Sequence, residues 1–529
     1  MRSSAAGNPP RPVATGWILT ATILGSSIAF IDSTVINVAL PAIQAVFHAT
    51  VVDVQWVVES YGLFLGALIL VGGSLGDLLG RRLIFVLGVV IFAVASAACG
   101  ISSNIHQLIV ARSIQGIGAA LLVPGSLAII SVSFDEKSRG QAIGTWSGFT
   151  AITTAIGPVL GGWLVEHASW RWVFFINLPL AAAVIVVSLW RIPESRSAEA
   201  GHIDWLGAFL ATVGLGGLVT GFIDSANLGW RNPLVAGSLI VGCVSLAAFL
   251  LVEATVASPM LPLALFNSHS FSGANLLTLF LYSAIGIFFF LFPLNLIQVQ
   301  GYSATGAGAA VLPLILLMFF LSRWSGGLVA RFGPRGPLII GPIIVALGFA
   351  LFFAPSVGGS YWKSFFPSIV ILGFGMAVTV APLTTVVMNS VNQDRVGTAS
   401  GVNNAVARVA GVLAVAVFGI VMVRAFAIRL NHDLVRMSLP SGVVQDLQAN
   451  EIRLAGLQPP AGLSPSQNAA VDQSTRNAFV FGFRIVILIC AGLSLASTAV
   501  AWLLIPKNDD RAGSPNAGPP NAANDELAQ

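Results

Sequence analysis

The chain has 529 residues, of which 56% are hydrophobic and only 9% are Asp, Glu, Lys or Arg. Soluble domains carry about 25% charged residues, so this composition excludes a water-soluble protein and indicates a polytopic helical membrane protein. The net charge of +4 does not by itself indicate a basic face for nucleic acid, because cytoplasmic loops of membrane proteins collect basic residues in any case. Three distant cysteines, Cys99, Cys243 and Cys490, exclude a disulfide framework and a CxxC metal site.

Apolar segments long enough to cross a membrane recur along the whole chain. A spanning helix needs about 20 residues, and fourteen such segments are predicted. Six form a first bundle, two follow as linkers, and six form a second bundle. The predicted spans are residues 17–40, 55–75, 83–101, 107–131, 141–164, 172–190, 203–222, 233–252, 271–294, 306–330, 337–355, 364–388, 398–423 and 478–504.

This pattern divides the chain into five predicted regions. The first run of apolar residues has no cleavage site after it, so it is interpreted as a retained span and not as a signal peptide. The regions are a cytoplasmic tail (1–15), an N-terminal six-helix bundle (16–195), two linker helices (196–255), a C-terminal six-helix bundle (256–505) with a long, partly ordered extracytoplasmic loop at about 424–477, and a disordered cytoplasmic tail (506–529).

Basic residues are distributed unevenly between the two sides of these spans. With the N-terminus inside, thirteen Lys and Arg residues fall in inner segments and three, Arg171, Arg231 and Lys363, fall in short outer loops. Because cytoplasmic loops collect basic residues, both termini are predicted to lie on the cytoplasmic side of a cell membrane, which requires an even number of spans. The arginines are then accounted for without a nucleic-acid partner.

An internal repeat relates the two bundles. The segment from Gly73 to Arg82 after the second span is echoed from Gly326 to Arg335 after the tenth, with two glycines, a leucine and an arginine at matching positions. Transporters built from paired repeats bind substrate near the membrane midplane, at the interface between the repeats. Two six-span halves joined by an extra helix pair are therefore the simplest architecture.

Asp32 is the most informative residue because it must lie inside the first span. A helix that stopped before it would contain about 15 apolar residues, fewer than the roughly 17 that a span needs. Arg112 enters the fourth span from the same side and reaches a comparable depth. Since a buried carboxylate needs a partner or a change of protonation, the two residues are a predicted proton-coupling site, with a static ion pair or a polar patch at a frayed helix end as the alternatives.

Two further charges are candidates for the translocation path. Glu59, near the outer end of the second span, is either a second proton carrier or cation ligand, or an acid that reaches water. Three arginines, Arg323, Arg408 and Arg484, fall in the C-terminal spans. Arg484 is expected to snorkel to the interface, and Arg408 is the best candidate for a charge that faces a cavity or locks the bundle.

The loop after the second span combines small, acidic and basic residues. Gly73 and Gly76 permit close helix approach, and Gly80 permits a tight turn. Asp77 can pair with Arg81, with Arg82 or with the N-terminus of a neighbouring helix. Such a loop can latch one conformation of a rocking bundle. An ordinary cytoplasmic turn would explain the arginines but neither the aspartate nor the glycines.

The fifth span contains Gly157, Pro158, Gly161 and Gly162. Proline removes one bond of the helix ladder, and the glycines offer a small surface to neighbouring helices. This segment is predicted to form a kinked packing seam.

Sequence motifs of soluble enzymes are missing or misplaced. No GxxxxGK[ST] phosphate-binding motif occurs, and the GxSxG pattern from Gly72 to Gly76 ends a membrane helix with no strand before it. The six histidines are scattered without metal-ligand spacing. Neither a catalytic centre nor a metal or other cofactor is predicted.

Together these motifs resemble those of the major facilitator superfamily, and specifically of its fourteen-span drug:proton antiporters, over about residues 15–505. Leu78 stands where the loop motif usually has a basic residue, and Thr153 where the fifth-span motif has a glycine. The motifs identify no substrate. The resemblance is carried by Asp32–Pro41, Gly73–Arg82, Arg112–Gly118, Gly157–Gly162 and Trp170–Pro179.

The resemblance implies an all-α major facilitator fold and a secondary active transporter, not an enzyme. It implies a proton-coupled antiporter that exports lipophilic, in some cases cationic, small molecules or drugs across the cytoplasmic membrane by alternating access. The proton gradient would drive export without a cofactor, through Asp32 and Arg112 with Glu59 assisting. Alternatives are a dedicated exporter of one endogenous lipid or metabolite and, from other classes, a polytopic membrane enzyme or a non-transporting sensor. The sequence does not indicate an oligomeric state.

Overall fold

The computed structural model describes residues 15–134, 136–196, 203–256, 258–391, 396–437, 439–460 and 462–507. The predicted tails, 1–15 and 506–529, lie outside the described residues except at their inner edges. Throughout the described part of the chain the secondary structure is helical and contains no strand. A bilayer requires this, because each backbone N–H and C=O must find its partner within the segment.

Nine helices make up the described part of the N-terminal half and the linker. Polar residues set the start of two of them: Thr50 and Asp53 form a capping box before α2, and the Asn104 side chain accepts from the Gln107 N–H at 2.9 Å before α4. The helices are α1 Thr15–Phe47, α2 Val51–Leu79, α3 Arg81–Ile101, α4 Ile105–Ser133, α5 Glu136–His167, α6 Trp172–Phe175, α7 Asn177–Arg191, α8 Trp205–Leu228 and α9 Pro233–Thr255.

The C-terminal half is less regular, because short helices and turns interrupt several of its spans. A π-helical turn at Asn295–Val299 follows the first helix of this half, and a capping box of Ser464 and Gln467 precedes the last. The helices are α10 His269–Leu294, α11 Ala304–Ala310, α12 Leu312–Gly326, α13 Leu328–Phe332, α14 Arg335–Leu351, α15 Tyr361–Ser364, α16 Phe366–Asn389, α17 Val396–Leu434, α18 Ser441–Ala449 and α19 Pro465–Leu504.

Twelve helical stretches of the described residues are long and apolar enough to cross a membrane. Two more helices, α5 and the 17-residue α14, occupy the fifth and eleventh predicted spans. The predicted all-helical, multi-pass membrane fold is therefore confirmed. The count of fourteen spans stays a prediction.

The segment predicted as an outer loop at about 424–477 is shorter and more ordered than expected. α17 continues to Leu434 and α19 begins at Pro465, so both helices extend beyond their predicted spans. Between them lie α18 and a short 3₁₀ turn, which bury Leu447 and Leu454. Hydropathy detects only the part of a helix that crosses lipid, whereas a capped helix continues into water.

The predicted repeat is present in the backbone as well as in the sequence. Gly80 separates α2 from α3, and Gly333 separates α13 from α14. Both have a positive φ, +127° and +73° respectively. A side chain would strain the backbone in this region, so glycine is favoured. Each half therefore re-enters the membrane through a glycine turn.

Close helix packing follows the same repeat. A Cβ atom on Gly88 of α3 would lie 2.9 Å from the carbonyl oxygen of Gly118 in α4, and the reverse distance is also 2.9 Å. In the C-terminal half, a Cβ atom on Gly375 of α16 would lie 2.9 Å from the carbonyl oxygen of Gly341 in α14. Gly88 and Gly341 each follow their turn glycine by eight residues. The glycine turn and the glycine contact between the two helices therefore belong to one repeated unit.

The linker helices α8 and α9 form a pair beside the seam between the halves. Gly217 and Gly242 allow their backbones to approach closely. Trp56 of α2 donates its indole N–H to Asp224 of α8 at 3.2 Å. This bond attaches the linker pair to the N-terminal half.

The two halves are joined at the end that is predicted to face outside. Gln298 donates to the side chain of Gln44 at 2.8 Å, and Thr305 donates its hydroxyl to Glu166 at 2.6 Å. Gln44 also donates to the backbone carbonyl of Arg453, in the segment after α18, at 3.1 Å. The predicted outer end is therefore bridged by α1, α5 and the loops of the second half.

Candidate functional site

Asp32 of α1 and Arg112 of α4 form an ion pair inside the N-terminal half. Arg112 Nη1 donates to Asp32 Oδ2 at 2.5 Å, and the exposed fractions of the two side chains are 1% and 0%. Arg112 Nε also donates to the Val57 carbonyl of α2 at 3.1 Å. Burial of two charges is costly unless they are paired and hydrogen-bonded. Asp32 and Arg112, both predicted site residues, therefore lie in direct contact and are paired and hydrogen-bonded.

Three neutral polar side chains complete this cluster. Gln115 Nε2 and Asn177 Nδ2 donate to Asp32 Oδ1 at 2.8 and 3.1 Å. Gln115 Oε1 accepts from Arg112 Nη1 at 2.8 Å, and Ser96 Oγ accepts from Asn177 Nδ2 at 3.0 Å. Both carboxylate oxygens of Asp32 thus have donors, supplied by α4 and α7. Ser96, on α3, bonds Asn177 and does not contact Asp32 directly through a hydrogen bond.

Sequence reasoning misses Gln115 and Asn177 as site residues, although both lie in motifs that carry the family resemblance. Gln115 lies three residues after Arg112 and hence on the same helix face. Asn177 is an uncharged polar residue at the start of an apolar helix. A polar residue inside an apolar span is the signal that marks each of them.

A cavity of about 530 Å³ lies between the two halves beside this cluster. Arg112 forms part of its wall and Asp32 does not, so the carboxylate lies behind the residues that line the cavity. The guanidinium also lies 4.3 Å from the centre of the Tyr61 ring. Most of the wall is apolar or aromatic, and residues from both halves contribute, among them Phe30, Tyr61, Tyr282, Phe289, Phe290 and Met376.

Two further charged side chains reach the cavity wall, one from each half. Glu59 of α2 is 2% exposed, and its Oε2 atom has no hydrogen-bond partner among the described residues. Arg408 of α17 is partly exposed, with its guanidinium 5.6 Å from the centre of the Phe30 ring. The side chain of Arg323 lies outside the described residues, and Arg484 donates to backbone carbonyls after α14.

The predicted latch residues lie at the end of α2 that is predicted to face inside. Asp77 pairs with Arg81 at 2.8 Å. The carboxylate of Glu194 accepts the backbone N–H groups of Arg82 and Leu83, at 3.0 and 3.1 Å. Glu194 is not among the predicted residues, yet it caps the first turn of α3, where a negative charge is favourable.

The close helix approach predicted at Gly73 occurs one residue earlier. A Cβ atom on Gly72 would overlap the carbonyl oxygen of Ala120 in α4, whereas one on Gly73 would lie 3.8 Å from Pro124. The latter is an ordinary contact. Adjacent residues of a helix point about 100° apart, so only one of the two glycines can face α4.

The predicted seam in α5 packs against both halves of the molecule. Gly157 and Gly161 face α1 within one turn of Asp32, and Gly162 and the Pro158 carbonyl face α11. A Cβ atom on any of these glycines would overlap the facing helix. α5 continues through Pro158 without interruption. It therefore connects the helix that holds Asp32 to the start of the second half.

Sequence comparison finds relatives over nearly the whole chain. The profile described as Major Facilitator Superfamily matches residues 22–415. The tetracenomycin C resistance and export protein of Streptomyces glaucescens is 33% identical over 507 residues, 94% of this chain and 92% of that protein. The multidrug resistance protein Stp of Mycobacterium tuberculosis is 31% identical over 505 residues (94% and 93%), and the puromycin resistance protein pur8 of Streptomyces alboniger is 31% identical over 516 residues (96% and 95%).

Solved transporter structures share the fold at low sequence identity. A bacterial homologue of the human lysosomal transporter Spinster superposes with a TM-score of 0.63 at 19% identity, covering 94% of this chain and 98% of that one. A D-xylose-proton symporter superposes with a TM-score of 0.59 at 14% identity, covering 93% and 98%. At these identities the likeness concerns the fold alone.

Proposed function

The chain belongs to the major facilitator superfamily, and we propose that it is a proton-coupled antiporter that exports lipophilic small molecules, cationic ones among them, by alternating access. Relatives of similar length are named for resistance to antibiotics or for their export. A largely apolar cavity between the two halves, with aromatic side chains from both, supports a lipophilic substrate. The proposed location is the cytoplasmic membrane, with both termini on the cytoplasmic side.

One observation carries the proton-coupled part of this proposal: Asp32 is buried directly behind Arg112, which forms part of the cavity wall. Protonation of Asp32 would remove the counter-charge of Arg112. An uncompensated buried charge costs several kcal/mol, so the helix arrangement that is most stable would change with protonation. Because a ligand shifts an equilibrium only by binding its two states differently, proton and substrate would act on the same equilibrium from adjoining sites.

α5 offers the mechanical connection that this mechanism needs. Gly157 and Gly161 leave no gap between α5 and α1, and Gly162 leaves none between α5 and α11. Tightly packed helices move together and are not compressed. A displacement of α1 at Asp32 would therefore be transmitted through α5 to the second half.

Glu59 and the loop at Asp77 have supporting roles in the proposal. Glu59, buried at the cavity wall with an oxygen that no described residue bonds, would act as a second proton acceptor or as a ligand for cationic substrates. The ion pair of Asp77 with Arg81, together with the Glu194 cap on α3, would hold the inner end of the N-terminal half in one conformation.

Transport by the purified protein in proteoliposomes tests the proposal. A panel that includes puromycin and tetracenomycin C would be presented with an imposed pH gradient, with and without a protonophore. We expect uptake into inside-out vesicles that stops when the gradient is collapsed. Conversion of a compound without any gradient would instead indicate an enzyme, and binding without flux a sensor. Transport restricted to one endogenous lipid or metabolite would indicate a dedicated exporter.

A further inference from the structure

Arg408 is a cation at the cavity wall for which the described residues provide no counter-ion. It forms neither an ion pair nor a hydrogen bond with any residue of the described ranges, although Glu59 reaches the same cavity. Its contact with the Phe30 ring, at 5.6 Å from guanidinium to ring centre, is a cation–π interaction. This contact orients the guanidinium and leaves its N–H donors free.

Three other arginines in the helices donate to carboxylate or carbonyl oxygens. Arg112 is paired with Asp32, Arg484 donates to backbone carbonyls, and Arg335 donates to the carbonyl of Trp502. Arg484 and Arg335 do not line the cavity; Arg112 and Arg408 both do, and of these two Arg408 has no such partner among the described residues. Its position is also well defined, because Gly66 of α2 lies against the base of its side chain, where a Cβ atom would be 3.4 Å from Arg408 Cβ.

We propose that Arg408 binds an acidic group of the transported substrate, namely a carboxylate or an ionised phenol or enol on a lipophilic, aromatic body. This inference rests on the proposed export function. A guanidinium presents five N–H donors in a planar fork that matches a carboxylate. Tyr282, Phe289 and Phe290, from the same half of the molecule, line the cavity and supply an apolar surface for the ring system.

The positive charges of Arg408 and Arg112 determine how an acidic substrate responds to protonation of Asp32. Protonation of Asp32 would leave Arg112 as a second unpaired cation at the cavity, which would hold an anion more tightly. A proton on Asp32 therefore does not displace an acidic substrate. The membrane potential, negative inside, drives the anion outward instead. Export of acidic compounds thus follows the membrane potential more than export of neutral compounds does.

The site is tested by binding measurements on the full chain in lipid nanodiscs, without any gradient. Three probes share one ring system: anthracene-2-carboxylate, anthracene-2-carboxamide and 2-(aminomethyl)anthracene. Arg408→Gln is expected to weaken carboxylate binding by about tenfold or more, the usual effect of losing a hydrogen bond to a charged group. Carboxamide binding should change by less than about threefold. Arg408→Lys should recover part of the carboxylate affinity, because it keeps the charge but not the fork.

Arg484→Gln is the matched control, since it removes an arginine of the same half outside the cavity, and it should bind all three probes as the wild type does. The site is overturned if Arg408→Gln weakens carboxylate and carboxamide equally, or if it leaves carboxylate binding unchanged. It is also overturned if the wild type does not prefer the carboxylate over the carboxamide. Carboxylate binding that depends on Arg408, without gradient-driven flux of any compound, would contradict the export function and leave the anion site intact.

Discussion

The two halves of the molecule share a scaffold but differ in the chemistry of their interiors. Arg112 lies six residues before Gly118, and Ile369 lies six residues before Gly375, so the repeat relates the two positions. Ile369 is fully buried, as Arg112 is. The same site in the backbone therefore holds a paired charge in the first half and an aliphatic side chain in the second.

Phenylalanine fills the interior of the second half instead. The Phe288 ring lies 4.8, 5.7 and 5.1 Å from the rings of Phe292, Phe349 and Phe352, and all four are almost completely buried. Such a cluster is held by apolar contact and ring geometry and does not respond to protons. The difference between the halves indicates a division of labour, with titratable chemistry in the first half and a rigid apolar framework in the second.

The largest expected effect tests the titratable half. Asp32→Asn keeps the shape of the side chain but cannot exchange a proton, so gradient-driven export in proteoliposomes should fall to background. Asp224→Asn, the same change in linker helix α8, is the control and should retain export. A well-folded Asp32→Asn protein with undiminished proton-linked transport would remove Asp32 from the mechanism.

The second prediction tests the apolar half. Phe288→Ala should lower the free energy of unfolding by about 3–5 kcal/mol, because it leaves a cavity inside the phenylalanine cluster. Any transport that remains should still be abolished by a protonophore. Phe320→Ala, at a side chain that is 71% exposed, should cost less than about 1 kcal/mol. Thermal unfolding of the purified variants measures both losses. Equal losses of stability for the two variants would refute the claim that the phenylalanine cluster stabilises the second half.

A smaller effect is expected at the loop after α2, where the first half has Asp77 and the second half has Ala330 at the matching position. The side chain of Asp77 is 44% exposed and that of Arg81 15%. Asp77→Asn should therefore cost under about 1 kcal/mol of stability. It should nevertheless slow turnover several-fold while leaving probe affinity unchanged. Arg331→Gln, in the corresponding loop of the second half, is the control. Normal turnover in Asp77→Asn would argue against a latch.

The smallest effect concerns the bridge between the halves at the predicted outer end. Hydrogen bonds from the Thr305 hydroxyl and N–H lower the pKa of Glu166, which lies beyond the predicted span, below its usual 4.5. Ionised Glu166 therefore stabilises the bridged arrangement above pH 4.5, and this stabilisation is lost as the pH falls through the lowered pKa.

The distance between spin labels on the two outer loops should be slightly longer in Glu166→Gln than in the wild type at neutral pH. In the wild type this distance should lengthen only on strong acidification. His167→Gln, at the neighbouring exposed position, should behave as the wild type does. Identical distances in wild type and Glu166→Gln at neutral pH would mean that the bridge contributes nothing to closure.

Several properties of this protein were determined by its sequence alone. Apolar segments of spanning length establish the helical membrane fold, and the glycine and arginine pattern establishes the repeat. The rise per residue of a helix places Asp32 and Arg112 at one depth, which predicts that they meet. These features depend on local hydropathy and helix geometry, which a linear sequence contains in full.

Only the tertiary structure decided which side chains join that pair and which face the cavity. Asn177 donates to Asp32 across 145 residues of sequence, and Glu59 and Arg408 reach one cavity from opposite halves. It also placed the close helix approach at Gly72 and not at Gly73. The physical reason is that a helix apolar on most of its surface carries no periodic signal of how it is rotated about its axis. Contacts with neighbouring helices determine that rotation.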